Sequence, residues 1–106
     1  MFVTMTCLNG LFQDANLDGL GPALMKAKEG GAIAVWASSG LTDPSRGQPA
    51  LNQELYKLLF AGGGSKMGAA HSMTLGEATL KAKAAVTDSD IRRTWILFGD
   101  PTTRLK

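Results

Sequence analysis

Two short apolar runs, each bounded by glycine-containing turns, limit what this chain can fold into. Residues 32–38 (AIAVWAS) stand between Gly30-Gly31 and a Ser-Gly turn, and residues 94–98 (TWILF) precede Gly-Asp-Pro. Continuous apolar runs of this length are typical of strands buried on both faces of a sheet. Strands of that kind need covering helices, so the two runs predict an α/β domain.

The segments around these strands have helical spacing of apolar residues. Helices are predicted over 17–29, 49–61 and 74–86, with a further short turn of helix over 87–90. Pro22 is tolerated in the first turn of a helix, and Thr74 with Glu77 forms a capping box. With a first strand at residues 2–7 (FVTMTC), the order is β-α-β-α-α-β and the sheet is expected to be mostly parallel.

Length and composition allow a single domain over residues 1–106 and exclude several classes of protein. Hydrophobic residues make up 44% of the chain and charged residues 19%, which suits a packed core. The net charge is +2 and the basic residues do not form a run, so no nucleic-acid partner is expected. No apolar stretch approaches the roughly 20 residues of a membrane span. Residues 1–9 lack the features of a signal peptide, and the compartment stays open.

Cys7 is the residue that most suggests chemistry. It is the only cysteine, so no intrachain disulfide can form, and it closes the predicted strand 2–7 just before a Leu-Asn-Gly turn. Ligands bind at the carboxyl ends of strands in open α/β sheets, where nearby N–H groups favour a thiolate. A lone strand cysteine is more often a small buried hydrophobe, so the pattern alone leaves both interpretations open. Acidic residues show no metal-ligand spacing, and neither a metal nor a cofactor is expected.

Several stretches resemble the gingipain-type cysteine peptidases in order and spacing. Residues 5–10 (MTCLNG) are similar to the Cys-x-Asn-Gly segment of that family, and residues 95–101 (WILFGDP) to its W-x-x-x-G-D-P ending. Between them, 20–27, 31–39 (GAIAVWASS) and 46–52 resemble the intervening helix, strand and helix start. The likeness covers nearly the whole chain, and the two terminal motifs are specific when found together at this separation.

The resemblance implies a partial caspase-like three-layer sandwich, the C-terminal portion of a peptidase domain acting on peptide or protein substrates. Cys7 would be the nucleophile. Backbone N–H groups of the turn would stabilise the oxyanion. Family members are typically exported. The oxyanion turn implied is Leu8, Asn9 and Gly10, and the implied substrate pocket is Ser38, Ser39, Gly40 and Leu41. Trp36, placed with this pocket, is predicted to be either a pocket wall or a core residue.

Two departures from the family pattern concern catalysis. The family places its catalytic histidine on the strand before the cysteine strand, which this chain does not include, and Pro22 stands about where a glutamate is usual. His71, the only histidine, lies in the glycine-rich connector 61–73, expected at the sheet edge opposite Cys7. It would act as a base only if a second copy brought it near the thiol. The isolated chain is therefore expected to be inactive.

A non-catalytic role is the alternative: a stand-alone binding or assembly module. In either case strand 2–7 would lie at an open sheet edge. Open edges invite pairing, so a homo-oligomer through or near strand 2–7 is expected.

Overall fold

A computed structural model describes residues 1–60 and 73–105, which form a mixed α/β fold with a three-stranded sheet. The predicted connector 61–73, with His71, lies outside the described residues except for its last position. The strands are β1 (Phe2–Val3), β2 (Ala34–Ser38) and β3 (Trp95–Gly99). The helices are α1 (Leu20–Lys26), a short 3-10 turn (Pro44–Arg46), α2 (Gln48–Phe60), α3 (Leu75–Ala84) and α4 (Ser89–Thr94).

The sheet is mixed, so the prediction of a mostly parallel sheet was wrong. In the strand order β1-β2-β3, β1 runs parallel to β2 and β3 runs antiparallel to it. Phe2 is paired with Val35 at one edge of β2, and Trp95 is paired with Ser38 at the end of β2.

Helices α2 and α3, two of the three α-helices that the structure describes between β2 and β3, explain the direction of β3. The start of α3 lies beyond the end of β3, where the Leu75 N–H donates to the Thr103 carbonyl at 2.8 Å. Just after the end of α3, Val86 comes within 3.2 Å of the Cβ position of Gly47, at the start of α2. Thus α2 takes the chain away from the carboxyl end of β2, and α3 returns it to that same end. The next strand begins where β2 ended and must run in the opposite direction.

Element ends differ from the predictions where local contacts intervene. The first strand ends at Val3 rather than at residue 7, although the Thr4 N–H still donates to the Trp36 carbonyl at 3.0 Å. Helix α1 begins only at Leu20, close to the proline that suits a first helical turn. Helix α4 is longer than predicted because Asp88 accepts hydrogen bonds from two N–H groups of its first turn.

Helices cover both faces of the sheet. Alternate residues of β2 point to opposite faces, and all five are buried. Val35 faces α1, where a Cβ on Gly21 would lie 3.3 Å from its side chain. Trp36 faces the other helices and packs against Trp95, with ring centroids 5.8 Å apart. The core on this second face comprises Trp36, Leu51, Leu55, Ala78, Ala82, Val86, Ile91 and Trp95.

In the described part of the chain, no helix has the length and apolar character needed to cross a membrane.

Candidate active site

Cys7 lies in a tight turn that follows β1 at its carboxyl end. The turn depends on Leu8, which adopts a left-handed φ of 61°. Two hydrogen bonds hold this turn against the end of β2 and the residues after it. The Leu8 N–H donates to the Gly40 carbonyl at 3.3 Å, and the Gly10 N–H donates to the Ser38 carbonyl at 2.8 Å. A Cβ at Gly10 would come within 2.9 Å of the Ala37 carbonyl oxygen, so this close approach requires glycine.

The Cys7 sulfur is half-buried against a single residue, Thr42. The thiol donates to the Thr42 carbonyl at 3.0 Å, while the Thr42 N–H reaches the sulfur at 3.3 Å and the Thr42 hydroxyl lies 3.4 Å away. Hydrogen bonds from the hydroxyl and then from the N–H of Thr42 lower the pKa of Cys7, and partial burial opposes that shift. This environment favours the thiolate, which is the nucleophilic form of cysteine.

Gln48 holds Thr42 in place and connects it to the segment between β1 and the cysteine turn. The Thr42 hydroxyl donates to Gln48 Oε1 at 3.2 Å, and Gln48 Nε2 donates to the Met5 carbonyl. Gln48 is buried at the first turn of α2. A hydroxyl has one proton to donate, so that of Thr42 serves either Gln48 or the sulfur.

The N–H groups of the predicted oxyanion turn are not equally available. Those of Leu8 and Gly10 already donate to carbonyls, as described above. The Asn9 side chain donates to Thr6 Oγ1, and the Asn9 carbonyl accepts from the Gly21 N–H at 2.6 Å. Among residues 1–60 and 73–105, the N–H group of Asn9 donates to no other residue, so it has free bonding capacity for an acyl oxygen. The N–H group of Cys7 faces its own sulfur and also lowers the pKa of that thiol.

The predicted pocket residues are brought together only in part. Ser38 is fully buried and its hydroxyl donates to the Gly40 carbonyl at 3.0 Å. Ser39 donates from both N–H and hydroxyl to the Thr94 carbonyl, at 2.8 and 3.0 Å. Leu41 is 78% exposed. These residues follow β2 beside the cysteine turn, whereas Trp36 is fully buried in the core and has no exposed surface for a substrate in this structure.

Comparison with protein families identifies the family to which this chain belongs. The model of peptidase family C25 matches residues 1–106, the whole chain. The chain belongs to peptidase family C25. The gingipain-type family predicted from the sequence is thereby confirmed. Searches of curated proteins and of solved structures gave no significant match.

The described part of this C25 chain provides a thiol but no histidine. His71 is the only histidine in the sequence, and it lies outside the described residues. Within residues 1–60 and 73–105, no three His, Cys, Asp or Glu side chains come together as a metal site would require. The described site therefore contains a thiol and its immediate environment, without a histidine.

Sequence reasoning missed Thr42 and Gln48 as parts of the C25 site. Gln48 belongs to the Arg46-Gly-Gln stretch that resembles the family, but the stretch was interpreted only as the start of a helix. Thr42 is 35 positions from Cys7 and has no local sequence signal of its own. Only the folding of the chain after β2 over the turn after β1 brings the two residues together.

Proposed function

We propose that this chain is the nucleophile-bearing, C-terminal part of a gingipain-type cysteine endopeptidase domain with a caspase-like fold. The observation that carries the proposal is the position of Cys7, beyond the carboxyl end of a parallel strand pair and within hydrogen-bonding distance of three Thr42 atoms. Membership of family C25 and helices on both faces of the sheet support it.

In this mechanism the Cys7 thiolate attacks the scissile carbonyl carbon. The carbonyl oxygen becomes an oxyanion, for which the Asn9 N–H is a donor with free capacity, and the Cys7 N–H is a second donor once the sulfur has bonded to carbon and lost its charge. Collapse breaks the C–N bond, and the amine leaves with a proton from a general acid. Water then hydrolyses the thioester. Ser39, Gly40 and Leu41, which follow β2 beside the cysteine turn, line the pocket for the residue before the cleaved bond.

The acid–base group of this mechanism comes from outside the described residues, and the chain alone is expected to lack peptidase activity. Losing one member of a catalytic unit costs about as much as losing several. The test is to incubate the chain with fluorogenic arginine and lysine peptide substrates, beside Cys7→Ala and His71→Ala variants. We expect iodoacetamide to modify the parent but not Cys7→Ala, with no Cys7-dependent turnover in any of them.

Two outcomes would contradict this account. Turnover that disappears in both Cys7→Ala and His71→Ala would identify His71 as the base and show that the chain is competent. A parent thiol that iodoacetamide modifies no faster than free cysteine would contradict its role as an activated nucleophile. The chain would then better fit the stand-alone binding or assembly module.

We also propose that the outer edge of β1 pairs with a second copy of the chain. Within the described residues no strand borders β1 on that side. Phe2 and Met5 beside it are 42% and 49% exposed. Open edges with apolar side chains favour strand pairing. We expect sedimentation velocity to detect a dimer that Phe2→Lys dissociates and Leu17→Lys, on an exposed loop, does not. A concentration-independent monomer would exclude the pairing.

A further inference from the structure

An open cavity lies between α3 and α4, on elements that do not contribute to the cysteine site. Its volume is about 420 Å³. Helix α3 contributes three residues from its last two turns. Helix α4 contributes its first residue and two arginines. The lining comprises Leu80, Lys83, Ala84, Ser89, Arg92 and Arg93.

The charge of this cavity is entirely positive. Its titratable lining residues are Lys83, Arg92 and Arg93, and no carboxylate lines it. The ion pairs found in the described part of the chain use Lys26, Arg46 and Lys57 instead. Asp88, the acidic N-cap of α4, is bound to Arg46 at 3.0 Å. The three cations of the cavity therefore repel one another without a compensating anion.

Lys83 is the innermost of the three cations and is held in place. Its Nζ lies 5.6 Å from the ring centroid of Trp36, a cation–π contact with a core side chain. Burial and then the charge of Arg92 lower the pKa of Lys83, which is the effect expected when like charges share a partly desolvated site. A bound anion would relieve that repulsion.

We propose that this cavity binds the carboxylates of an acidic polypeptide segment. Guanidinium groups pair with carboxylates through two parallel hydrogen bonds, and two arginines line this cavity. Leu80, 70% exposed at the rim, and Ala84 offer an apolar wall for the aliphatic stems of glutamate side chains. A cavity of about 420 Å³ exceeds by roughly tenfold the space of one water molecule, so a polypeptide suits it better than a single small anion.

The test uses the full chain and a labelled hexaglutamate peptide, followed by fluorescence anisotropy at low salt. A hexaglutamine peptide of equal length is the neutral probe, and inorganic phosphate is the competitor that represents a small free anion. The variant Arg92→Gln/Arg93→Gln removes two charges from the cavity. Its matched control, Lys28→Gln/Lys81→Gln, removes two exposed charges that do not line the cavity.

We expect hexaglutamate to bind and hexaglutamine not to bind. The arginine variant should bind roughly tenfold more weakly, while the lysine control should change affinity by less than about twofold. Equal weakening in the two variants would mean that net charge alone attracts the peptide, and would overturn the proposal. So would the absence of hexaglutamate binding, or displacement of the peptide by phosphate at equal molar concentration.

A second pair of variants keeps the test valid if the arginine variant does not fold. Leu80→Glu places a carboxylate at the exposed rim and should abolish binding of hexaglutamate by repulsion. Leu80→Gln has nearly the same size and no charge, so it should retain most of the affinity. Equal affinity in these two variants would also overturn the proposal. Circular dichroism and the thermal midpoint confirm folding in each case.

Discussion

At the scale of single residues, the chemistry of Cys7 depends on Thr42. The thiol is half-buried, which by itself disfavours a thiolate, yet its pKa is lowered because the Thr42 hydroxyl and N–H face the sulfur. The N–H belongs to the backbone and persists in any variant except proline. The hydroxyl is the part that substitution can remove.

We therefore predict that Thr42→Val slows alkylation of Cys7 at neutral pH and that Thr42→Ser does not. Valine keeps the shape of the side chain and removes the donor, so the Cys7 pKa rises and the thiolate fraction at neutral pH falls. The rate of iodoacetamide modification, measured against pH, gives the midpoint of titration. Because the folded pKa is lowered, the midpoint of the native parent should lie below that of the urea-unfolded chain.

The result for valine is informative only beside that for serine. Serine retains the hydroxyl that contacts both Cys7 and Gln48. The midpoint of the Cys7 titration in Thr42→Ser should therefore equal that of the parent. If the valine variant titrates at the same pH as the parent, the hydroxyl does not stabilise the thiolate and the backbone N–H alone accounts for the shift.

Leu8, the residue after the cysteine, is a second residue with an unusual requirement. Its left-handed backbone conformation, with φ of 61°, costs a branched residue roughly 1–2 kcal/mol. We predict that Leu8→Gly is more stable than Leu8→Ala by about 1 kcal/mol, because glycine adopts this conformation freely. The free energy of unfolding in urea measures the difference.

An ordinary helical position provides the comparison for Leu8. At Lys81, exposed within α3, glycine should be less stable than alanine by about 0.5–1 kcal/mol. The sign of the difference should therefore reverse between the two sites. A glycine variant that is the less stable one at both positions would contradict the left-handed turn.

At the scale of secondary structure, the helices could be predicted from local signals and the direction of the last strand could not. The capping box of Thr74 and Glu77 opens α3 where it was predicted, with both of its hydrogen bonds present. Leucine spacing likewise gave α2 to within one residue at each end. The direction of β3 depends on the end of the sheet to which the preceding helices bring the chain. That is a property of the whole segment between β2 and β3.

The capping box of α3 yields a stability prediction. Thr74→Ala should lower the free energy of unfolding by about 1 kcal/mol, because it leaves a backbone N–H of the first turn without its partner. Thr87→Ala changes an exposed threonine outside the helices and should have little effect. Urea denaturation of both variants measures the difference, and equal midpoints would show that the cap is unimportant.

The cap also has a defined pH dependence. Hydrogen bonds from Thr74 lower the pKa of Glu77 in the folded state. Its contribution is therefore complete above the ordinary pKa of a glutamate and is lost as the pH falls through the lowered value. The loss of stability between these two pH values should be smaller in Glu77→Gln, which cannot ionise.

Close backbone contacts at the end of β3 give a further prediction. Gly99 has φ of 124°, and a Cβ there would lie 2.7 Å from the Ile33 carbonyl oxygen. We predict that Gly99→Ala costs at least about 2 kcal/mol of unfolding free energy. Gly30→Ala is the control, because its Cβ would meet nothing within 4 Å although its φ is also positive. It should cost about 1 kcal/mol, and equal losses at the two sites would exclude the steric explanation.

At the scale of the whole molecule, the sequence was sufficient for the family and the layers but not for the contacts of the site. Apolar runs identified β2 and β3, and the motifs at residues 5–10 and 95–101 identified the family. For Trp36 the sequence left open a pocket wall or the core, and the alternation of side chains along β2 places it in the core, under α3. Thr42 could not be found because its contact with Cys7 spans 35 positions and exists only in the assembled fold.

The paired tryptophans of β2 and β3 make the register of the sheet optically observable. Two indoles whose centroids are 5.8 Å apart and tilted by 37° are close enough for their excited states to couple, which produces a two-signed band in far-ultraviolet circular dichroism. A slip of one residue would turn one ring to the opposite face of the sheet and break the coupling. A single spectrum, compared with that of Trp95→Phe, therefore distinguishes correctly aligned molecules from compact misfolded ones without any assay of activity.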